Sequence, residues 1–138
     1  MTELKAGVAS AIQAIREHFR HCDVKVLPSA GGGANVIIED VPLGPPYNQA
    51  KTWVGFYLSD ACPYDDTYPF YVTGSLSRID GTALLSPLHI NQRFPADGSS
   101  TETRDAVMVS RRQRNRGSFA YESPLLKLKT VLKWMVQQ

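Results

Sequence analysis

The sequence predicts an α+β domain. Three observations carry that reading: an apolar stripe at helical spacing near the start, four runs of β-branched and aromatic residues after it, and a second helical stripe at the end. In the first, Leu4, Val8, Ile12, Ile15 and Phe19 recur at steps of four, four, three and four, which draws one apolar face along a helix over about residues 3–20, with Thr2 as its expected N-cap. The strand-like runs are Val24 to Leu27, Asn35 to Val41, Thr52 to Leu58 and Phe70 to Leu76, separated by Gly, Pro and Asn. Sequential strands with short links favour a four-stranded antiparallel meander. Gly31-Gly32-Gly33 lacks the Gly-Lys-Ser/Thr ending and the strand-to-helix setting of a phosphate loop, so it reads as a hairpin turn.

From Ser77 to Phe119 there is little periodicity, only turn signals at Asp80-Gly81 and Asp97-Gly98 and prolines at 87 and 95. This segment reads as a long irregular flap, and long flaps in compact domains are usually functional. Ser123-Pro124 then supplies an N-cap and a proline at the first helical position, and Leu125, Leu128, Leu132 and Met135 form the stripe of a closing helix. Trp134 and Val131 widen its apolar face, and Lys127, Lys129 and Lys133 are expected to face solvent.

Length and composition fit a single domain over 1–138, large enough to bury most of its apolar surface without staples, with 43% hydrophobic and 20% charged residues. The uncharged apolar runs are too short for a membrane span and no signal peptide is evident, so a cytoplasmic location is the expectation. Cys22 and Cys62 have neither the spacing of a disulfide framework nor that of a tetrahedral zinc set. His18, His21 and Cys22 cluster at a helix end, but ligands so close along one helix cannot all face a single ion, so no metal and no cofactor is expected. Net charge is +2, and it is uneven: residues 111–138 sum to +6 and residues 1–110 to −4.

Three motifs in order resemble those of the ubiquitin-conjugating enzyme family. Tyr68-Pro69-Phe70 is similar to the opening of its Tyr-Pro-Phe motif. His89-Ile90-Asn91, followed by Asp97-Gly98, is similar to the His-Pro-Asn tripeptide and the Asn-Gly turn that precede the thioester-forming cysteine. The run YESPLLKLKTVLKWM is similar to the helix that begins Trp-Ser-Pro in that family. The resemblance covers nearly the whole chain and implies a UBC-like or RWD-like fold. It departs where it matters most for chemistry: Thr101 ends the pattern where a cysteine would stand, Tyr121 or Glu122 replaces the tryptophan, the link from Thr101 to Ser123 is longer than usual, and no further helices follow.

By the resemblance, Asn91 would support the oxyanion as an amine attacks the thioester. A thiolate is a strong nucleophile near neutral pH, whereas the hydroxyls of Ser99, Ser100 and Thr101 would need an adjacent base, with His89 the nearest in sequence. Cys62, in SDACPYDD, is the other possible acceptor, but Asp60, Asp65 and Asp66 would disfavour its thiolate.

The resemblance therefore implies a catalytically silent or atypical member, akin to bacterial relatives found with ubiquitin-like proteins and their enzymes in antiviral defence. Such a chain would bind a ubiquitin-like protein or its activating or conjugating enzyme, with Tyr68, Phe70, Arg111, Arg112, Arg114 and Arg116 as candidate contacts. One alternative is an acyl transferase with a nonstandard acceptor. The other is a nucleic-acid-binding module, since clustered arginines such as SRRQRNRG release counterions from phosphate backbones.

Overall fold

A computed structural model describes residues 4–62, 67, 69–95, 103–110 and 123–138. Helix α1 spans Ala6–His18, with its last turn closed by Phe19 N donating to Ile15 O at 2.9 Å. It starts later than its apolar stripe suggested, and Lys5, in extended backbone, takes the N-cap position assigned to Thr2. Val8, Ala11, Ile12 and Ile15 are buried, while Leu4 and Phe19, beyond the helix ends, pack half-buried against the same core.

The strands are β1 (Val24–Pro28), β2 (Ala34–Pro42), β3 (Lys51–Leu58), β4 (Phe70–Thr73), β5 (Leu88–Pro95) and β6 (Thr103–Val109). They form one antiparallel sheet in the order β1-β2-β3-β4-β6-β5. This corrects the four-stranded meander: among the described residues the sheet has six strands, and the stretch expected to be an irregular flap supplies two of them. The physical reason is that β5 is an edge strand. Among the described residues only one side of it is laddered, so Asn91 and Arg93 can stay exposed and the strand shows no clean alternation.

Between β1 and β2 the three glycines make a short turn, with Gly31 and Gly32 at φ 89° and 97°. The stem of Lys5 crosses Gly32 so closely that a Cβ there would lie 2.6 Å from Lys5 Cγ.

Helix α2 (Pro124–Met135) begins as its sequence suggests, with Ser123 Oγ accepting from Leu126 N at 3.1 Å and proline in the first turn. Its buried face is rotated from the expected stripe. Pro124, Lys127, Leu128, Val131 and Met135 point inward, and Leu125 and Leu132 lie half-buried at the flank. Lys127 is therefore a correction: it stands one turn from both Pro124 and Val131 on the buried face and is only 6% exposed.

The main core lies between the two helices and one face of the sheet, where Val36, Val54, Phe56, Val72 and Val107 alternate inward. Tyr47 reaches into this core and donates its hydroxyl to Met135 O at 3.0 Å, tying the β2–β3 link to the end of α2. The opposite face carries a second cluster of Ile37, Phe94 and Ala106, with Trp53 and Tyr71 packed against it.

That second cluster shows how strongly the sheet curls. Two strands separate β2 from β6 in the sheet order, yet Arg104 on β6 reaches Glu39 on β2 at 3.2 Å. The β5–β6 hairpin folds across the face, and Phe94 lies so close over Gly55 on β3 that a Cβ there would be 2.6 Å from its ring.

Candidate functional site

The residues singled out for chemistry fall in different places. Asn91 lies in β5 where the register with β6 slips between His89 and Gln92, a bulge that leaves Ile90 and Asn91 between the paired positions. Its φ is 61°, in the left-handed region that asparagine tolerates better than most residues, and its side chain is exposed. His89 pairs with Met108 in the neighbouring strand and is half-buried. Ser99 and Thr101, the proposed hydroxyl acceptors, lie outside the described residues, as do Tyr68 and the arginines 111, 112, 114 and 116.

Cys62 follows β3 and is 8% exposed within the main core, with its Sγ donating to Gly7 O at 3.7 Å at the start of α1. Phe70 is likewise a core residue, 1% exposed and set edge-on to Phe56 with ring centroids 5.3 Å apart, so its ring faces the helices rather than solvent. Cys62 and Asn91 thus stand on separate parts of the fold, one under α1 and the other on the exposed edge strand.

The other thiol, Cys22, is half-buried just past α1, and its Sγ contacts Asp40 O at 3.6 Å. Asp40 has φ 58° at the second register slip of the sheet, in β2. Burial pushes the Cys22 thiol above its ordinary value and the Asp40 carboxylate adds to the rise, with Lys51 opposing it. A raised pKa keeps the neutral thiol at physiological pH, the poorer nucleophile.

Beside Cys22 opens a cleft of about 680 Å³ that the sequence reading did not foresee. Phe19, Val41, Pro42 and Leu132 line its apolar part, and α2 walls it with Leu126, Lys129, Thr130 and Lys133. Leu126, on this wall, is 49% exposed. The sequence signals for the cleft were the His18, His21 and Cys22 cluster and Leu126, an apolar residue off the expected stripe. His18, His21 and Cys22 do meet at this rim, but among the described residues no group of three His, Cys, Asp or Glu side chains is placed to hold a metal ion.

The loop before β5 is fixed by a small polar turn. Asp80 accepts from Thr82 Oγ1 at 2.7 Å and Thr82 N at 3.0 Å, and pairs with Arg78. Those bonds hold its carboxyl at about 2, well under the ordinary carboxylate value.

Among the described residues no helix is long and apolar enough to cross a membrane. The chain matches no family model, no curated protein sequence and no solved structure.

Proposed function

We propose that this chain is a noncatalytic ubiquitin-conjugating-like protein that binds a ubiquitin-like modifier, or the activating or conjugating enzyme that handles it. The observation that carries the reading is the state of its two thiols. A carrier of an activated acyl group needs an exposed thiolate, whereas Cys62 is 8% exposed in the core and Cys22 has its pKa raised. The ordered motifs Tyr68-Pro69-Phe70, His89-Ile90-Asn91 and Ser123-Pro124 support the family side of the reading, and Thr101 at the nucleophile's place supports the loss of chemistry.

Calorimetric titration of the purified chain with ubiquitin-like modifiers and with activating and conjugating enzymes that handle them tests the proposal. A saturable complex with at least one of them is the expected result; no binding to any of them rejects it.

A second reading has one observation in its favour. Asn91 is exposed, in a bulge, with a left-handed backbone, and such devices often re-aim side chains near active sites. On that reading Asn91 would stabilise an oxyanion and Ser99 or Thr101 would accept the acyl group.

A further inference from the structure

We infer that the cleft between the end of α1 and the flank of α2 is a docking groove for an amphipathic helix with acidic residues beside its apolar stripe, borne by a partner protein. The inference rests on reading the chain as a binding protein, but not on which pathway the partner serves.

The shape points to a helix. The wall from Leu126 to Lys133 rises along α2 for about 10 Å at 1.5 Å per residue, the length of two turns of a partner helix. Its floor offers the half-buried Phe19 and Leu132 and the exposed Pro42 over a buried Val41, apolar surface on which anchors at i, i+3 or i+4, and i+7 can sit. Leu126, half exposed at one end, is an anchor contact already partly out of water.

Charge decides which helix. Among the described residues lining the groove the ionisable groups are His18, His21, Cys22, Lys129 and Lys133; no carboxylate lines it, and the Asp40 carboxylate that acts on Cys22 at its edge is opposed by Lys51. Lys129 and Lys133 are exposed and one helical turn apart, so carboxylates one turn apart on the partner would face them.

Charge also rules out two other occupants, a further segment of this chain and a second copy. The segment 111–122 carries four arginines and one glutamate and would be repelled by this rim. A second copy fails as well: α1 contains a single acid, Glu17, and α2 contains none.

The test is selection of a phage-displayed helical peptide library against the full chain, followed by anisotropy on the enriched peptides. Enriched peptides should be apolar at i, i+3 or i+4, and i+7 and net acidic. Their affinity should fall roughly tenfold or more for Leu126→Asp and for the Lys129→Glu, Lys133→Glu double variant. All three positions are exposed, so the variants should keep the parent's melting temperature to within about 2 °C.

The proposal is overturned if nothing enriches, if basic or extended peptides enrich, or if affinities change less than about twofold in the variants. It is also overturned if the groove substitutions instead abolish self-association in sedimentation, or binding to phosphatidylglycerol vesicles. Acidic helices that bind here while all pathway proteins fail in calorimetry would retain the groove and reject the pathway; the reverse pattern would reject the groove alone.

Discussion

The two faces of the sheet are closed by different means. One is covered by α1 and α2 over a continuous core that runs from Val8 to Met135. The other is closed by a single hairpin folding back, with Phe94 over Gly55 and Arg104 held between Glu39 and the ring of Trp53, 4.9 Å from its centroid. The helix-covered face owes its stability to many apolar contacts spread over several elements. The hairpin-covered face depends on a few side chains, so single substitutions there should detach a region instead of unfolding the molecule.

Two phenylalanines of similar burial give the sharpest contrast. Phe70→Ala, on the helix-covered face, should cost about 4 kcal/mol and lower the denaturation midpoint of the whole chain. Phe94→Ala should cost about 3 kcal/mol and, unlike Phe70→Ala, should accelerate amide exchange across Arg104 to Ala106 ahead of β2 and β3. Uniform loss of protection in both variants would break the contrast. Gly55→Ala approaches the same contact from beneath. The added methyl meets the Phe94 ring at 2.6 Å, and overpacking of this kind should cost about 2 kcal/mol while leaving the helix-covered core protected.

How much of this was legible in the sequence follows the same division. Both helices and the first four strands announce themselves because their apolar residues face a continuous core, where periodicity is enforced by burial. The cues for the hairpin were present in a weaker form: Val107, Met108 and Val109 form a short apolar run, and Asp97-Gly98 is a turn pair of the kind that joins antiparallel strands. They were masked by the bulge at Ile90 and Asn91, which shifts the alternation by one residue, and by the polar residues an edge strand can expose.

The rotation of α2 was hidden for another reason. Apolar residues occupy most of its circumference, and which of them face inward is decided by contacts with α1 and Tyr47, which lie far away in sequence. The groove at Leu126 was hidden with it. Of the chemical candidates, the isolation of Asn91 from Cys62 could not be read from sequence, because it depends on which strands neighbour one another.

Electrostatics separates the faces more gently. Burial favours the protonated form of Glu39, but the hydrogen bonds from Arg104 and Lys25 outweigh it and leave its pKa below the ordinary 4.5. A carboxyl whose pKa is lowered by folding adds stability that is fully present above its unfolded value and is lost as pH falls through its folded value. Glu39→Gln should therefore cost about 1 kcal/mol at neutral pH, and the difference between parent and variant should shrink once the pH drops below 4.5. A difference independent of pH would mean that the ion pair does not hold the hairpin. The smallest effect concerns the exposed turn: the Asp80 carboxyl should titrate by NMR at about 2, and Thr82→Ala should move its midpoint up toward 3.8.

The claim that this chain works through surfaces, without carrying an acyl group, is tested most directly by intact-mass spectrometry. The chain would be incubated with ATP, a ubiquitin-activating-type enzyme and its modifier under conditions that charge a competent conjugating enzyme. The account predicts an unmodified mass for the chain. A modifier-sized adduct, thiol-sensitive on Cys22 or Cys62 or base-labile on Ser99 or Thr101, would contradict it.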